Sequence, residues 1–175
     1  MRKPKKIVLT GPESVGKSTL TKQLAVYFNA PFGTELARTY VENLQREYNI
    51  DDVLGIAKLQ IAQEHRMMNT DSQFVFFDTD LIITKKWLLH LYNECPEWID
   101  DYLEEFPADL HLLCYYDLQW KNDPVRENQE IRPELYEAYR SEIKRLGIDY
   151  VKISGQGELR RNSAISAVEK YFGNK

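Results

Sequence analysis

Lys5-Lys6-Ile7-Val8-Leu9-Thr10-Gly11-Pro12-Glu13-Ser14-Val15-Gly16-Lys17-Ser18 runs an apolar tripeptide directly into a turn bounded by two glycines. Ile7-Val8-Leu9 has the uninterrupted apolar pattern of a strand buried on both faces of a parallel sheet, which predicts a strand over Lys5 to Thr10. From Lys17 to about Asn29, the residues Leu20, Leu24, Val26, Tyr27 and Phe28 recur at helical spacing, and Asn29 with Pro31 stops the helix. Between a strand and a helix, the G-x-x-x-x-G-K-[ST] spacing of Gly11, Gly16, Lys17 and Ser18 reads as a phosphate-binding (Walker A) loop. Its glycines let the backbone turn so that successive N–H groups point inward at phosphate oxygens, at the positive end of the helix. Lys17 adds a point charge for the β and γ phosphates, and the Ser18 hydroxyl is a magnesium ligand. Gly11, Glu13, Ser14, Val15, Gly16, Lys17, Ser18 and Thr19 are therefore the expected ATP-binding residues, with Mg2+ accompanying the nucleotide.

Working outward, a short strand is predicted at Phe32 to Thr34, then helices from Leu36 to about Tyr48 and from Asp51 to about Met68. Asp51 and Asp52 suit the start of the second of these, where carboxylates oppose the helix dipole. Phe74-Val75-Phe76-Phe77 is a buried strand, followed by a helix carrying Trp87, Leu88 and Leu91 and, past Pro96, another short one. Leu110 to Tyr116 and Tyr150 to Ile153 are the remaining strands, with helices from Pro133 to about Leu146 and from about Glu158 to Tyr171. This alternation predicts an α/β chain in the P-loop NTPase three-layer fold, a five-stranded parallel sheet with helices on both faces. At 175 residues and 43% hydrophobic composition, residues 1–175 are expected to form one domain.

Composition narrows the function. The 23 basic and 27 acidic residues are spread along the chain, and the net charge of −4 argues against nucleic-acid or anionic-membrane binding. No apolar run approaches the roughly 20 residues of a membrane span. Met1-Arg2-Lys3-Pro4-Lys5-Lys6 leads into too short an apolar stretch for a signal peptide, so a cytoplasmic location is expected. Cys95 and Cys114 are expected to be ordinary reduced thiols, and the scattered His65, His90 and His111 to be packing or surface residues.

Four positions beyond the phosphate loop carry candidate chemistry. Asp78 ends a buried strand, where a P-loop protein holds magnesium directly or through its water. Asp80 follows at the mouth of the next helix, to bind a substrate hydroxyl or to cap that helix. Glu35 follows the second strand and is expected to face the crevice at the strand ends, as the base for an attacking hydroxyl. Arg38, three residues on, shares its helical face and would orient Glu35 or contact the acceptor. The loop from about Leu118 to Arg132 has the makings of a lid: Arg126 and Arg132 would neutralise charge on the moving phosphoryl group, and Trp120 would stack on a flat acceptor ring.

With Gly11 through Thr19, Glu35-Leu36-Ala37-Arg38-Thr39-Tyr40, Ala62-Gln63, Phe77-Asp78-Thr79-Asp80 and Trp120 through Arg126 assembled, the chain resembles the nicotinamide riboside kinase domain of the bacterial NadR-type NAD-biosynthesis proteins. The resemblance runs over nearly its whole length. It implies transfer of the ATP γ-phosphate to the 5′-hydroxyl of nicotinamide riboside, with Lys17, Glu35, Asp78 and Arg126 as catalytic residues. Arg126 and Arg132 join the ATP site, Ser18 and Asp78 the metal site, and Glu35, Arg38, Tyr40, Asp80 and Trp120 the acceptor site. The adenylyltransferase and helix-turn-helix domains that many NadR-type proteins carry are not expected in a chain of this length. In the lid, Asp123-Pro124 stands where the resemblance leads one to expect Asp-Gly. Two other readings stay open: a kinase for another nucleoside, nucleotide or small metabolite, and a regulatory P-loop ATPase acting on a protein partner. A homo-oligomer is compatible with each.

Overall fold

The computed structural model describes residues 3–121 and 129–173. In chain order these form β1 (Lys5–Thr10), α1 (Lys17–Tyr27), β2 (Phe32–Gly33), α2 (Leu36–Glu42), α3 (Ile50–Met68), β3 (Phe74–Asp78), α4 (Leu81–Tyr92), α5 (Glu97–Glu105), β4 (Leu110–Cys114), α6 (Arg132–Arg145), β5 (Tyr150–Ile153) and α7 (Gly157–Gly173). The strands make one five-stranded sheet in the order β2-β3-β1-β4-β5, all pairs parallel. The expected α/β architecture is what the chain adopts.

Side-chain alternation along the central strands divides the core. Ile7 and Leu9, Phe74 and Phe76, and Leu110 and Leu112 pack with Leu20 and Leu24 of α1 and Ala164, Ile165 and Val168 of α7. Their neighbours point the other way: Val8, Val75 and Phe77 form one cluster. Leu113 joins Leu81, Ile82 and Leu88 of α4, Ile99 and Leu103 of α5, and Tyr139 and Ile143 of α6. Ile7, Val8 and Leu9 are all wholly buried, as a strand covered by helices on both faces requires. Burying each such side chain contributes about 1.5–3 kcal/mol.

Parallel register brings the strand ends to one edge. Leu9 lies beside Asp78 and Leu112, and Gly33 lies beside Phe77. The phosphate loop, Asp78 and the residues just after β2 therefore converge where β1 separates the two halves of the sheet. Ligands of open α/β sheets bind at such a point.

The helix expected from Leu36 to about Tyr48 ends at Glu42. Asn43 closes it, donating from Nδ2 to the Thr39 carbonyl at 2.7 Å. Arg46 then turns onto the next helix, with Nη1 2.6 Å and Nη2 2.9 Å from the two oxygens of Asp52. Asn49 and Asp52 form a capping box that starts α3 at Ile50, each satisfying a backbone donor of the other. Among the described residues, no helix is long and apolar enough to cross a membrane.

Candidate active site

A cavity of about 370 Å³ opens at the convergent strand ends. One wall is the loop between β1 and α1, with Gly11 and residues Glu13 to Thr19 along it. Gly11 adopts φ 154 against β4, where a Cβ would lie 2.6 Å from the Cys114 carbonyl oxygen. Only glycine fits that approach without a backbone shift. Gly16, at φ 76, is the N-cap of α1 and gives it no side-chain cap, nor does the first turn hold an acidic residue. The first N–H groups of α1 are thus left for an anion, reinforced by the helix dipole. Lys17 Nζ donates to the Gly11 and Pro12 carbonyls at 2.9 and 2.8 Å, which holds the ammonium at the mouth of the loop.

Asp78, at the end of β3, is buried behind this wall beside Ser18 and Lys17, next to the cavity-lining Thr79. Burial pushes its carboxyl above the ordinary value, against the charge of Lys17 and the hydroxyl of Ser18, and the negative charge of Glu35 adds to the rise. Its Oδ1 is buried with no hydrogen-bond partner. An orphaned carboxylate oxygen beside a hydroxyl and a phosphate loop suits a divalent cation, whose remaining ligands come from phosphates and water. Among the described residues no group of three or more His, Cys, Asp and Glu could hold a metal, and a nucleotide-bound magnesium needs none.

The rest of the lining comes from α2 and α4, with Leu135 and Tyr139 of α6. Glu35, the residue before α2, lines the cavity with Ala37, Arg38 and Val41. Ile83, Lys86, Trp87 and His90 line it from α4, joined by Tyr48. Tyr48 and Trp87 meet edge to face at 5.1 Å. The positive charges here are already engaged: Lys86 Nζ is 2.6 Å from Glu142 Oε2, and Arg38 Nη1 is 3.6 Å from Glu42 Oε1. Thr79 also lines the cavity, at φ 75, and its N–H donates to the Leu9 carbonyl at 3.1 Å. A threonine held in that region stores strain where Asp78 is aimed.

The structure thus gathers the phosphate loop, Glu35 and Arg38 around one space, with Asp78 buried behind Ser18 and Lys17. Other sequence candidates lie apart from it. Asp80 is buried and caps α4, accepting from the Ile82 N–H at 3.0 Å, with His111 Nε2 3.7 Å from its other oxygen. Burial raises its carboxyl to about 6. Tyr40 donates to Asp52 at 3.3 Å. Arg132 stands over the Trp120 ring at 5.6 Å and donates to the Leu118 carbonyl at 3.1 Å, and neither it nor Trp120 is among the residues lining the cavity. Lys121 does approach the site, its N–H donating to Ser14 Oγ at 3.0 Å. Arg126 lies outside the described residues.

Sequence reasoning did not single out the cavity wall on α4. Its signal was present, because Ile83, Lys86, Trp87 and His90 stand at helical positions i, i+3, i+4 and i+7. A stripe mixing apolar, aromatic and basic side chains is unlike a core stripe.

Comparison with known proteins agrees with this geometry. A family model described as AAA domain (AAA_28) matches residues 6–160. The trifunctional NAD biosynthesis/regulator protein NadR of Salmonella typhimurium is 25% identical over 126 residues, 69% of this chain and 30% of the relative. A crystal structure of NadR protein in complex with NR superposes with a TM-score of 0.76 at 29% identity, over 98% of this chain and 52% of that one. A crystal structure of NadR in complex with NAD and AMP-PNP gives 0.73 at 29% identity, over 98% and 50%. The chain therefore spans between 30% and 52% of the length of these relatives, and the likeness to NadR-type proteins read from its motifs is borne out.

Proposed function

From a chain that belongs to the AAA-domain family AAA_28, we propose a kinase that transfers the γ-phosphate of ATP to the 5′-hydroxyl of nicotinamide riboside. The observation that carries this reading is a single cavity with the phosphate loop on one wall and Glu35, Tyr48 and Trp87 on the other. A nucleotide on the first wall presents its γ-phosphate to a hydroxyl held by the second. The acceptor oxygen attacks phosphorus, the bond to the β–γ bridging oxygen breaks, ADP leaves, and Glu35 takes the hydroxyl proton. Lys17 neutralises charge on the moving phosphoryl group. Ser18 and Asp78 would hold magnesium, which when bound would supply positive charge to offset that of the phosphates.

The acceptor assignment draws on two further supports. A relative whose structure contains NR aligns over 98% of this chain. Trp87 and Tyr48 offer aromatic surface to a pyridinium ring, and Glu35 offers it a negative charge. One observation favours a phosphate-bearing acceptor instead, namely the presence of Lys86 and Arg38 in the lining. The ion pairs with Glu142 and Glu42 offset those charges, which leaves the wall suited to an acceptor without a phosphate.

An acceptor panel of nicotinamide riboside, uridine, cytidine, adenosine and a nucleoside monophosphate, with mass detection of products, tests the reading. The highest kcat/KM is expected for nicotinamide riboside. Preference for a neutral nucleoside or a nucleotide overturns the acceptor assignment alone. ADP release without any phosphorylated acceptor overturns the kinase.

A further inference from the structure

Arg160, in the first turn of α7, is only 4% exposed, a costly setting for a guanidinium unless it is paired and hydrogen-bonded; its Nε has no partner, and its two terminal nitrogens make four hydrogen bonds. Its Nη1 donates to Asp117 Oδ1 at 2.8 Å and to the Gly155 carbonyl at 2.9 Å. Its Nη2 donates to the Tyr115 carbonyl at 2.8 Å and to the Val15 carbonyl at 3.0 Å. Asp117 also accepts the Gly155 N–H through Oδ2 at 2.7 Å. One cation therefore joins the phosphate loop to the exit of β4, the loop after it and the loop before α7.

The Val15 contact reaches the chemistry. In a planar trans peptide, the carbonyl of one residue and the N–H of the next point in opposite directions. A Val15 carbonyl fixed outward on a buried cation directs the Gly16 N–H the other way, and Gly16 lines the cavity. The same bond polarises the peptide, which strengthens that N–H as a donor. We propose that Arg160 is a positioning residue for the nucleotide: it orients and polarises the Val15–Gly16 peptide for the phosphates beyond the first. The proposal rests on the reading of this loop as an ATP site. Asp117 holds the guanidinium in place and balances its charge.

A residue that merely anchors α7 would not distinguish ligands by their phosphates, so the test compares ADP with AMP. Both are titrated calorimetrically into the wild-type chain and into Arg160→Gln, Arg160→Lys and the milder Asp117→Asn, with thermal unfolding of each. The Kd for ADP is expected to rise about tenfold in Arg160→Gln, the loss of one charge-assisted hydrogen bond. A smaller rise is expected in Asp117→Asn, partial recovery in Arg160→Lys, and no change for AMP in any of them. Equal ADP affinity in a folded variant, or equal weakening of ADP and AMP, overturns the proposal. If the Arg160 variants do not fold, Asp117→Asn decides by the same criteria. A wild-type chain that binds no ADP overturns the ATP reading itself.

Discussion

At the scale of single residues, Lys17 has two tasks that a substitution separates. Its ammonium braces the Gly11 and Pro12 carbonyls, and in the proposed reaction it is the loop's positive charge for the phosphoryl group. Lys17→Ala is expected to lower kcat by about two to three orders of magnitude, the usual effect of deleting a transition-state donor. The unfolding midpoint should move little, because the residue is the first of α1 and partly exposed, and steady-state kinetics with a thermal melt check both halves. Glu35→Gln keeps the shape of the cavity wall and removes the proposed base. A fall in kcat of about 10²–10⁴ with the KM for ATP nearly unchanged is expected, and a changed KM alone would mark Glu35 as a binding residue.

Among elements, α4, α5 and α6 are fastened by charge as well as by apolar packing. Lys85 reaches Asp100 at 2.6 Å and Glu142 at 2.8 Å, and Arg145 Nε reaches Glu142 at 2.8 Å. Lys86, on the cavity side of α4, completes the group through Glu142. Burial alone would raise the Glu142 carboxyl, but its bonds to Lys85, Lys86 and Arg145 outweigh that and hold it down at about 2. Its folded value lies below the usual 4.5, so its contribution to stability is complete above about pH 4.5. That contribution is lost as pH falls from there toward 2. Glu142→Gln leaves Lys85 with Asp100 as its carboxylate partner and is expected to cost about 2 kcal/mol at neutral pH, the scale of hydrogen bonds to a charged group. Denaturant melts across this window should show a shallower loss of stability in the variant than in wild type.

Over the whole molecule, most of the fold was legible because it rests on local patterns. Ile7-Val8-Leu9 and Phe74 to Phe77 announced buried strands, and the glycines with Lys17 announced the loop between them. The end of α2 was not legible, since Arg46 pairing with Asp52 depends on a turn that an apolar repeat does not encode. Asp80 held both readings in sequence, and only its burial and its bond to the Ile82 N–H show it capping α4. Trp87 and His90 needed the packing of α4 against the cavity before their setting was visible. The strand order has a temporal side as well. β1 is made early, yet Ile7 pairs with Phe76 and Leu110, about 70 and about 100 residues later. At about 5–20 residues per second on the ribosome, that strand waits roughly 5–20 s for its second neighbour. A chain stopped before Leu110 leaves one edge of β1 open, and we expect such a fragment to sediment with aggregates or chaperones while the full chain stays in the supernatant.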